Sequence, residues 1–420
     1  MLALFKNKAY LKFWLAQTIA SLGDGISRVI ITYLVAMHSQ NPLLVGLVIF
    51  AQLLPGAVFG IFMGPLADRM SRRWLMVGSD FYRMIVVVGM IFFQGSAMAL
   101  IGLVFLQGIG AALFDPARAS SIPALVGEKQ IPQAIGLSQG TSSAMQIIGP
   151  ALGGLLLLLA SPTLNFSVNA LTYLISALLL LPLTMLGKPE ATGATESYLS
   201  SIRSGIKGVM SFPALRFLLV LLIPVIFAVG ILNTNLSAIM LFTFEVPATD
   251  FAFLSTFLGI GAMVGSLIGP TLLQKFRPSL LLLTSTGLIG LWMAGVIPLD
   301  MLRTEYGLSV VYVWYLVTGV LNALINVPLS SLFLGLTPQE FRGRGAALFT
   351  MTVSSFQLIG ILVGGWLAGE LGALLATLIA GMMLVGSVLV LPLLKGYKAL
   401  HNVGEKKKDT VKLEDQLATD

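Results

Sequence analysis

The chain has 420 residues, of which 56% are hydrophobic and only 10% are charged, and its formal net charge is +7. A water-soluble domain has about a quarter of its residues charged, so this composition excludes a soluble globular protein and predicts one that faces lipid. The chain has no cysteine and only two histidines, His38 and His401, which excludes disulfides and cysteine nucleophiles and makes us expect no metal and no cofactor.

Apolar stretches long enough to cross a bilayer recur along the whole chain. A spanning helix needs about 20 mainly apolar residues, and continuous stretches of this length favour helices over barrel strands. The predicted spans are Leu11–Met37, Leu43–Ala67, Trp74–Phe93, Ala97–Phe114, Ile131–Leu159, Leu164–Leu186, Leu215–Phe242, Phe251–Leu273, Leu280–Ile297, Leu308–Leu334, Ala346–Ala368 and Leu371–Leu394. The sequence therefore predicts an all-α integral membrane protein with about twelve transmembrane helices.

Lysine and arginine are concentrated in the termini and in alternate connections between these spans. The intervening connections carry Arg303 alone, and Arg28 and Arg83 lie inside predicted helices. Because short basic loops stay on the cytoplasmic side, this distribution predicts a multi-pass protein of the inner (cytoplasmic) membrane with both termini in the cytoplasm. It also explains the positive net charge as a topology signal, so we expect the lipid bilayer and no nucleic acid as a partner.

The longest cytoplasmic connection divides the predicted spans into two groups of six. Residues 1–187 are predicted to form an N-terminal six-helix half and residues 214–395 a C-terminal six-helix half. Between them, residues 188–213 are a cytoplasmic linker, in which Tyr198–Phe212 is expected to be an amphipathic stretch on the membrane surface. Residues 396–420 are predicted to be a charged cytoplasmic tail.

A segment rich in arginine follows the second predicted helix. It reads Gly64-Pro65-Leu66-Ala67-Asp68-Arg69-Met70-Ser71-Arg72-Arg73. It resembles the signature loop of the major facilitator superfamily, Gly-x-Leu-Ala-Asp-Arg-x-Gly-Arg-Arg, with a serine in place of the second glycine. In that family the loop latches two halves of the molecule together. The resemblance implies a cytoplasmic gating role, and the alternative is that the arginines only fix the topology. The residues concerned are Gly64, Asp68, Arg69, Arg72 and Arg73.

Three further motifs resemble one branch of that superfamily. They are Leu22-Gly23-Asp24 in helix one, Phe114-Asp115-Pro116-Ala117-Arg118 after helix four, and a string in helix five made of Gly149, Pro150, Ala151, Leu152, Gly153 and Gly154. Together they resemble the branch that holds macrolide exporters and enterobactin exporters. The string in helix five also resembles the antiporter motif of drug–proton exporters, which implies proton antiport. We expect its proline to bend the helix and its glycines to permit close packing.

Asp24 lies near the middle of the first predicted helix, and Arg28 follows one turn later on the same face. Ionisable residues inside a membrane are costly and usually mark functional sites. We therefore predict that Asp24 is the main proton-coupling acid of a central cavity that also includes Arg28. The alternative is a permanent structural ion pair between the two residues, which would keep the acid ionised.

Two other acid–arginine pairs lie nearer the cytoplasmic side. Asp80 and Arg83 belong to the third predicted helix, and Asp115 and Arg118 to the end of the fourth. We expect both pairs to join the gating network around Asp68, and the alternative is a direct contact with substrate.

Several amide side chains interrupt the apolar helices. They either line a cavity or form hydrogen bonds between helices, and the sequence leaves both possibilities open. The amides in question are Gln17, Gln139, Gln146, Asn233, Asn322, Asn326 and Gln357.

The chain has no Gly-x-x-x-x-Gly-Lys-Ser/Thr loop, so it carries no ATP motor of its own, and no histidine lies inside a predicted span to act as a catalytic base. We therefore predict a transporter and not an enzyme. It would be a secondary-active, monomeric exporter of lipophilic or cationic small molecules that uses proton antiport and alternating access. The alternatives are a siderophore or lysolipid exporter of the same fold and, from another class, a non-transporting membrane sensor or scaffold.

Overall fold

The computed structural model describes residues 2–127, 130–159, 161–187, 210–337, 342–393 and 397, and every regular element among them is helical. The long helices are α1 (Lys8–Ser39), α2 (Pro42–Arg69), α3 (Arg72–Phe92), α4 (Ala97–Leu125), α5 (Ile131–Leu159), α6 (Pro162–Leu180), α7 (Pro213–Ala238), α8 (Ala248–Lys275), α9 (Pro278–Ala294), α10 (Val296–Tyr306), α11 (Ser309–Leu336), α12 (Arg342–Leu371) and α13 (Ala373–Val390). Short elements are the turn Leu2–Phe5, the π-helical turn Ile239–Thr243 and the 3₁₀ turn Leu391–Leu393.

Within the described ranges, 11 helices are long and apolar enough to cross a membrane, or up to 12 if one bent pair counts as a single span. The prediction of an all-α membrane protein with about twelve spans is confirmed. The bent pair is α9 and α10, whose axes differ by 52°. The predicted ninth span, Leu280–Ile297, is therefore not one straight helix. Gly295 ends α9 with its N–H bonded to the Leu291 carbonyl oxygen at 3.1 Å, and Pro298 lies in the first turn of α10, where no backbone donor is required.

By the contacts between Cα atoms the chain divides into two compact units. The first unit holds residues 1–193 and 236–259, and the second holds residues 194–235 and 260–420. In the first unit α1 packs on α5 and α6, α2 packs on α4, and α3 packs on α4 and α6. In the second unit α9 packs on α11 and α13, and α12 packs on α13.

Most of the predicted linker, including most of its amphipathic stretch Tyr198–Phe212, and all of the predicted tail 396–420 except residue 397 lie outside the described residues. The division into halves 1–187 and 214–395 stays a prediction.

Hydrogen bonds join the helix ends at one end of the first unit. Asn7 caps α1 by accepting from the backbone N–H groups of Ala9 and Tyr10, and its Nδ2 donates to the Leu125 carbonyl oxygen at 2.7 Å. At the start of α3, the Arg73 N–H donates to the Leu186 carbonyl oxygen at 3.0 Å. The start of α1, the end of α4, the start of α3 and the segment after α6 therefore lie together, as alternating spans require.

Two apolar clusters fill the first unit, and a buried ion pair lies between them. One cluster includes Tyr10, Phe13, Met76, Phe114 and Leu180, and the other includes Ile30, Val87, Met90, Phe166 and Tyr173. The Arg83 guanidinium carbon lies 4.7 Å from the ring centre of Phe114 and 4.5 Å from that of Tyr173, so it contacts one ring from each cluster. Arg83 Nη2 lies 2.5 Å from Asp80 Oδ1, and the two side chains are 5% and 0% exposed.

Helices α1 and α5 approach each other at glycine. A Cβ atom on Gly149 would lie 2.6 Å from the Gly25 Cα atom, and a Cβ atom on Gly153 would lie 2.7 Å from the Ile26 carbonyl oxygen. The backbones are in direct contact, so any side chain at these positions would push the helices apart. The structure has the expected close helix packing at two glycines of helix five, Gly149 and Gly153.

We expect Gly149→Ala to destabilise the protein by about 1–3 kcal/mol, because the added methyl group meets backbone atoms that cannot move aside. Thermal unfolding of the purified protein in detergent would measure the loss. The matched control is Gly140→Ala on the same helix, where an added Cβ meets nothing within 4 Å. There alanine should be neutral or stabilising, because it has the higher helix propensity. Equal stability of the two variants would contradict the packing argument.

We expect Arg83→Gln to destabilise the protein by about 3–5 kcal/mol, because it leaves the Asp80 carboxylate buried without a cation. Chemical denaturation in detergent would measure this change. The double variant Asp80→Asn, Arg83→Gln removes both charges and should recover much of the lost stability. If the double variant were no more stable than Arg83→Gln alone, the buried pair would not be the cause.

Candidate functional site

Asp24 of α1 receives contacts from three other helices. The Tyr173 hydroxyl of α6 donates a short hydrogen bond to Asp24 Oδ1, and Gln107 of α4 donates from Nε2 to the same oxygen at 3.0 Å. Gln107 Nε2 also donates to the Tyr173 hydroxyl at 2.8 Å. On the other carboxylate oxygen, Arg83 of α3 places Nη1 3.8 Å from Asp24 Oδ2. Two donors and a nearby cation therefore hold a carboxylate that is still 33% exposed.

Behind Asp24 lies a second carboxylate that is fully buried. Asp80 accepts from Arg83 on Oδ1 at 2.5 Å and from the Ser176 hydroxyl on Oδ2 at 2.6 Å. One guanidinium therefore contacts two carboxylates, with its nearer partner in the protein interior and its farther partner partly exposed. Room for the Arg83 side chain depends on Gly110 of α4, where a Cβ atom would lie 2.5 Å from Arg83 Cγ.

A second cluster of charged and polar side chains surrounds Arg118 near the end of α4. Arg118 Nε lies 3.3 Å from Asp115 Oδ1, and Arg118 Nη1 donates to Gln17 Oε1 at 3.3 Å and to the Ser138 hydroxyl at 3.1 Å. The Ser138 hydroxyl in turn donates to Gln17 Oε1 at 3.1 Å. This group ties α4 to α1 and α5.

The cluster around Asp24 and the cluster around Arg118 line one cavity of about 140 Å³ in the first unit. Its lining residues are Trp14, Gln17, Thr18, Ala20, Ser21, Asp24, Arg83, Ala111, Phe114, Asp115, Arg118, Ser138, Thr141 and Ser142. The Trp14 indole N–H donates to the Thr141 hydroxyl at 3.0 Å, so this aromatic wall is fixed in place. A volume of this size holds several waters, an ion or one substituent of a larger molecule, and sites for drug-sized molecules are about 300–1,000 Å³.

The structure does not pair Asp24 with Arg28 as the sequence suggested. Arg28 is exposed, and Arg83 takes the place of the cation beside Asp24. A permanent Asp24–Arg28 pair, which was the alternative to a titrating acid, is therefore wrong for this structure. Helical spacing allowed the pair, but Asp24 is satisfied by groups on other helices while the Arg28 side chain stays at the surface.

The predicted gating residues are described only in part. The side chains of Gly64, Asp68 and Arg69 lie outside the described part of the chain. Arg72 is half-buried, and Arg73 Nη1 donates to the Leu181 carbonyl oxygen at 3.3 Å. The gating role of this loop stays a prediction.

The other two acid–arginine pairs lie beside Asp24 rather than apart from it. Arg83, Asp115 and Arg118 line the same cavity as Asp24, and Asp80 is joined to it through Arg83. A gating role and a direct contact with substrate both stay predictions for these residues, which belong to one site.

The helix-five motif borders this site from α5. Gly149 and Gly153 contact α1 directly beside Asp24, and Pro150 is buried within the helix. Gly154 faces the other way and contacts Ala252 of α8. The motif therefore sets how close α1 lies to α5.

The predicted amides differ from one another. Gln17 joins the Arg118 group, whereas Gln139 and Gln146 are exposed on α5 and do not line the cavity. In the second unit, Asn326 Nδ2 donates to Asn322 Oδ1 at 2.5 Å, a bond within α11 and not between helices, and the role of these two amides as cavity lining stays a prediction. The remaining two amides, Asn233 and Gln357, are half-buried.

Sequence reasoning missed several residues of the site, above all Gln107, Tyr173 and Ser176. A signal was present in α6, where polar side chains recur at helical spacing within an apolar sequence. The polar series is Asn165, Asn169, Thr172, Tyr173 and Ser176, and all of its members are buried. A buried polar stripe on a membrane helix indicates a functional face. In the described parts of the chain, no three histidine, aspartate or glutamate side chains are grouped as a metal would require.

Comparisons with known proteins agree with this architecture. The family model described as Major Facilitator Superfamily matches residues 13–355. The uncharacterized MFS-type transporter YfiS of Bacillus subtilis (strain 168) is 29% identical over 392 residues, which cover 91% of this chain and 92% of that protein. The enterobactin exporter EntS of Shigella boydii serotype 4 (strain Sb227) is 26% identical over 413 residues, which cover 93% of this chain and 92% of that protein.

Among solved structures, the crystal structure of the POT family transporter PepTSo matches with a TM-score of 0.75 at 11% identity, over 94% of this chain and 99% of that chain. At this identity the match concerns the fold alone. The resemblance to the superfamily, and to the branch that contains enterobactin exporters, is confirmed. Since the family model covers most of the sequence, the chain belongs to the Major Facilitator Superfamily.

Proposed function

We propose that this chain is a proton-driven exporter of lipophilic or cationic small molecules, with Asp24 as the residue that binds the coupled proton. The observation that carries the proposal is the position of Asp24. It is a partly exposed carboxylate on the wall of a cavity at the middle of a membrane helix, held by side chains from three other helices.

The charges of the site support exchange of a proton for a cation. Three carboxylates (Asp24, Asp80 and Asp115) and two guanidinium groups (Arg83 and Arg118) give a formal charge of −3 + 2 = −1 when all are ionised. One proton or one monovalent cation neutralises that charge. Because an unbalanced charge inside the membrane is costly, the two compete for the same site. Such competition couples outward movement of a cation to inward movement of a proton.

The proposed energy source follows from the sequence. The sequence has no nucleotide-binding loop, so a proton gradient across the inner membrane is the proposed driving force. In the proposed cycle a monomer rocks its two six-helix halves, residues 1–187 and 214–395, about the central site, with both termini in the cytoplasm. The loop residues Asp68, Arg72 and Arg73 would gate the cytoplasmic side.

A siderophore is the second candidate substrate, and the relatives favour it. Enterobactin exporters match this chain over almost its whole length. The described cavity is smaller than a drug-sized site, so in either case it would hold one part of the molecule, such as a charged or hydroxylated substituent.

Asp24→Asn should abolish transport driven by a proton gradient, because the amide cannot bind and release a proton. The measurement is uptake of ethidium or of enterobactin into proteoliposomes with an acidic interior, and the expected rate equals that of protein-free liposomes. The control is Asp300→Asn, which removes a partly exposed carboxylate from an acid–arginine pair in α10, away from the cavity, and should leave transport unchanged. Full gradient-driven transport by Asp24→Asn would refute the proposal.

The substrate class can be read from stabilisation of the purified protein. A true substrate binds the folded state and should raise its stability by about 2.7 kcal/mol at a concentration 100 times its dissociation constant. Ethidium and enterobactin are the two probes, each measured by thermal shift on the wild type and on Asp24→Asn. Stabilisation by ethidium that is lost in Asp24→Asn supports a cationic substrate, and stabilisation by enterobactin alone supports the siderophore.

A further inference from the structure

Arg83 is shared unequally between the two carboxylates that it contacts. Its Nη2 lies 2.5 Å from Asp80, within hydrogen-bonding distance, whereas its Nη1 lies 3.8 Å from Asp24, beyond that distance. The nearer carboxylate is fully buried, and the farther one is partly exposed to the cavity. The residue proposed to bind the proton is thus the one that Arg83 does not bond directly.

Asp80 is fixed where it can hold Arg83. The Ser176 hydroxyl donates to its second oxygen at 2.6 Å, and no part of the Asp80 side chain reaches solvent. A buried guanidinium requires a counter-charge at all times, because an unpaired buried ion costs several kcal/mol. Asp80 supplies that counter-charge whether Asp24 is ionised or protonated.

The rest of the Arg83 environment limits its movement. The rings of Phe114 and Tyr173 both lie within 5 Å of the guanidinium carbon, at 4.7 and 4.5 Å, and α4 contacts the stem of the side chain at Gly110. Within these limits the guanidinium can reach two carboxylates, those of Asp80 and Asp24. A small rotation of the Arg83 side chain would bring it within hydrogen-bonding distance of Asp24.

We propose that Asp80 is a positioning residue that keeps Arg83 from closing on Asp24, so that Asp24 remains free to gain and lose a proton. This inference rests on the proposed function, in which Asp24 carries the proton. Without Asp80, Arg83 would form a direct ion pair with Asp24 and keep that carboxylate ionised.

The other charged groups around Asp24 are few. From α6 it faces Tyr173, and from α4 it shares the cavity with Asp115 and Arg118, which pair with each other at 3.3 Å. Helix α5 has no ionisable residue, and those of α2 are Asp68 and Arg69 at its end. Among the described residues, Arg83 of α3 is thus the cation that lies within 4 Å of the Asp24 carboxylate, and Asp80 is its partner.

Infrared difference spectroscopy on the purified full-length protein tests this inference without any substrate. The carbonyl band of protonated carboxyl groups is followed as the pH is lowered, and the midpoint of the component that is missing in Asp24→Asn reports where Asp24 takes up its proton. In Asp80→Asn, which keeps the size of the side chain, Arg83 closes on Asp24 and favours its ionised form. The midpoint should therefore fall by about one pH unit or more.

Adding Arg83→Gln to Asp80→Asn should reverse the shift. The double variant removes the cation, leaves no unpaired buried charge, and should titrate above both Asp80→Asn and the wild type. The matched control is Asp300→Asn, which removes the acid of a partly exposed pair at the same spacing and should leave the midpoint unchanged.

The possible failures are distinguishable. If the band persists unchanged in Asp24→Asn, Asp24 is not the proton site and the proposed function fails. If a component of the band is lost in Asp24→Asn but Asp80→Asn leaves its midpoint in place, the positioning role is overturned and the proposed function stands. A double variant that titrates at or below the wild type also overturns the positioning role, even where Asp80→Asn cannot be purified.

Discussion

A buried arginine determines the arrangement of the first unit. Arg83 is almost fully enclosed, so its charge must be balanced by protein groups within reach of one guanidinium. Asp80 provides the balance from the same helix, and Ser176 and Tyr173 of α6, Asp24 of α1 and Phe114 of α4 complete the surroundings. Four helices must hold their relative positions for this one group to be satisfied, which ties the packing of the unit to the chemistry of its cavity.

The helix contacts supply the required precision. At Gly25 and Gly149 the backbones of α1 and α5 are in contact. This contact fixes the position of Asp24, the residue next to Gly25, within the unit. Apolar clusters above and below the ion pair bury Asp80 completely and Arg83 almost completely, while the cavity leaves Asp24 partly exposed. Two chemically identical carboxylates thus occupy different environments, and the difference comes from packing rather than from residue type.

Local sequence features predicted the fold better than they predicted the partners within the site. Spanning helices follow from apolar length alone, and the loop Gly64–Arg73 and the helix-five glycines are contiguous strings that resemble known motifs. The partners of Asp24 lie 59 to 149 residues away on other helices, and only the packing of the helices brings them together. Spacing along one helix suggested Arg28 and was misleading, because proximity along a helix does not decide which face meets the interior. The bend at Gly295 was missed for a related reason, since a glycine and a proline inside an apolar run leave the hydropathy unchanged.

The two units differ in where their charged side chains lie, and this difference bears on the proposed proton coupling. In the first unit, charged side chains on α1, α3 and α4 line one cavity. Arg83 lies beside Asp24 there, and Arg118 pairs with Asp115. In the described part of the second unit, the Asp300–Arg303 pair lies in the short helix α10, and the Asn326 amide donates to the Asn322 amide oxygen within α11. A residue that is proposed to change its charge during transport needs neighbours that respond to that charge, and Asp24 has Arg83, Gln107 and Tyr173 around it. The proposed proton coupling is therefore placed in the first unit, where these charged side chains meet in one cavity.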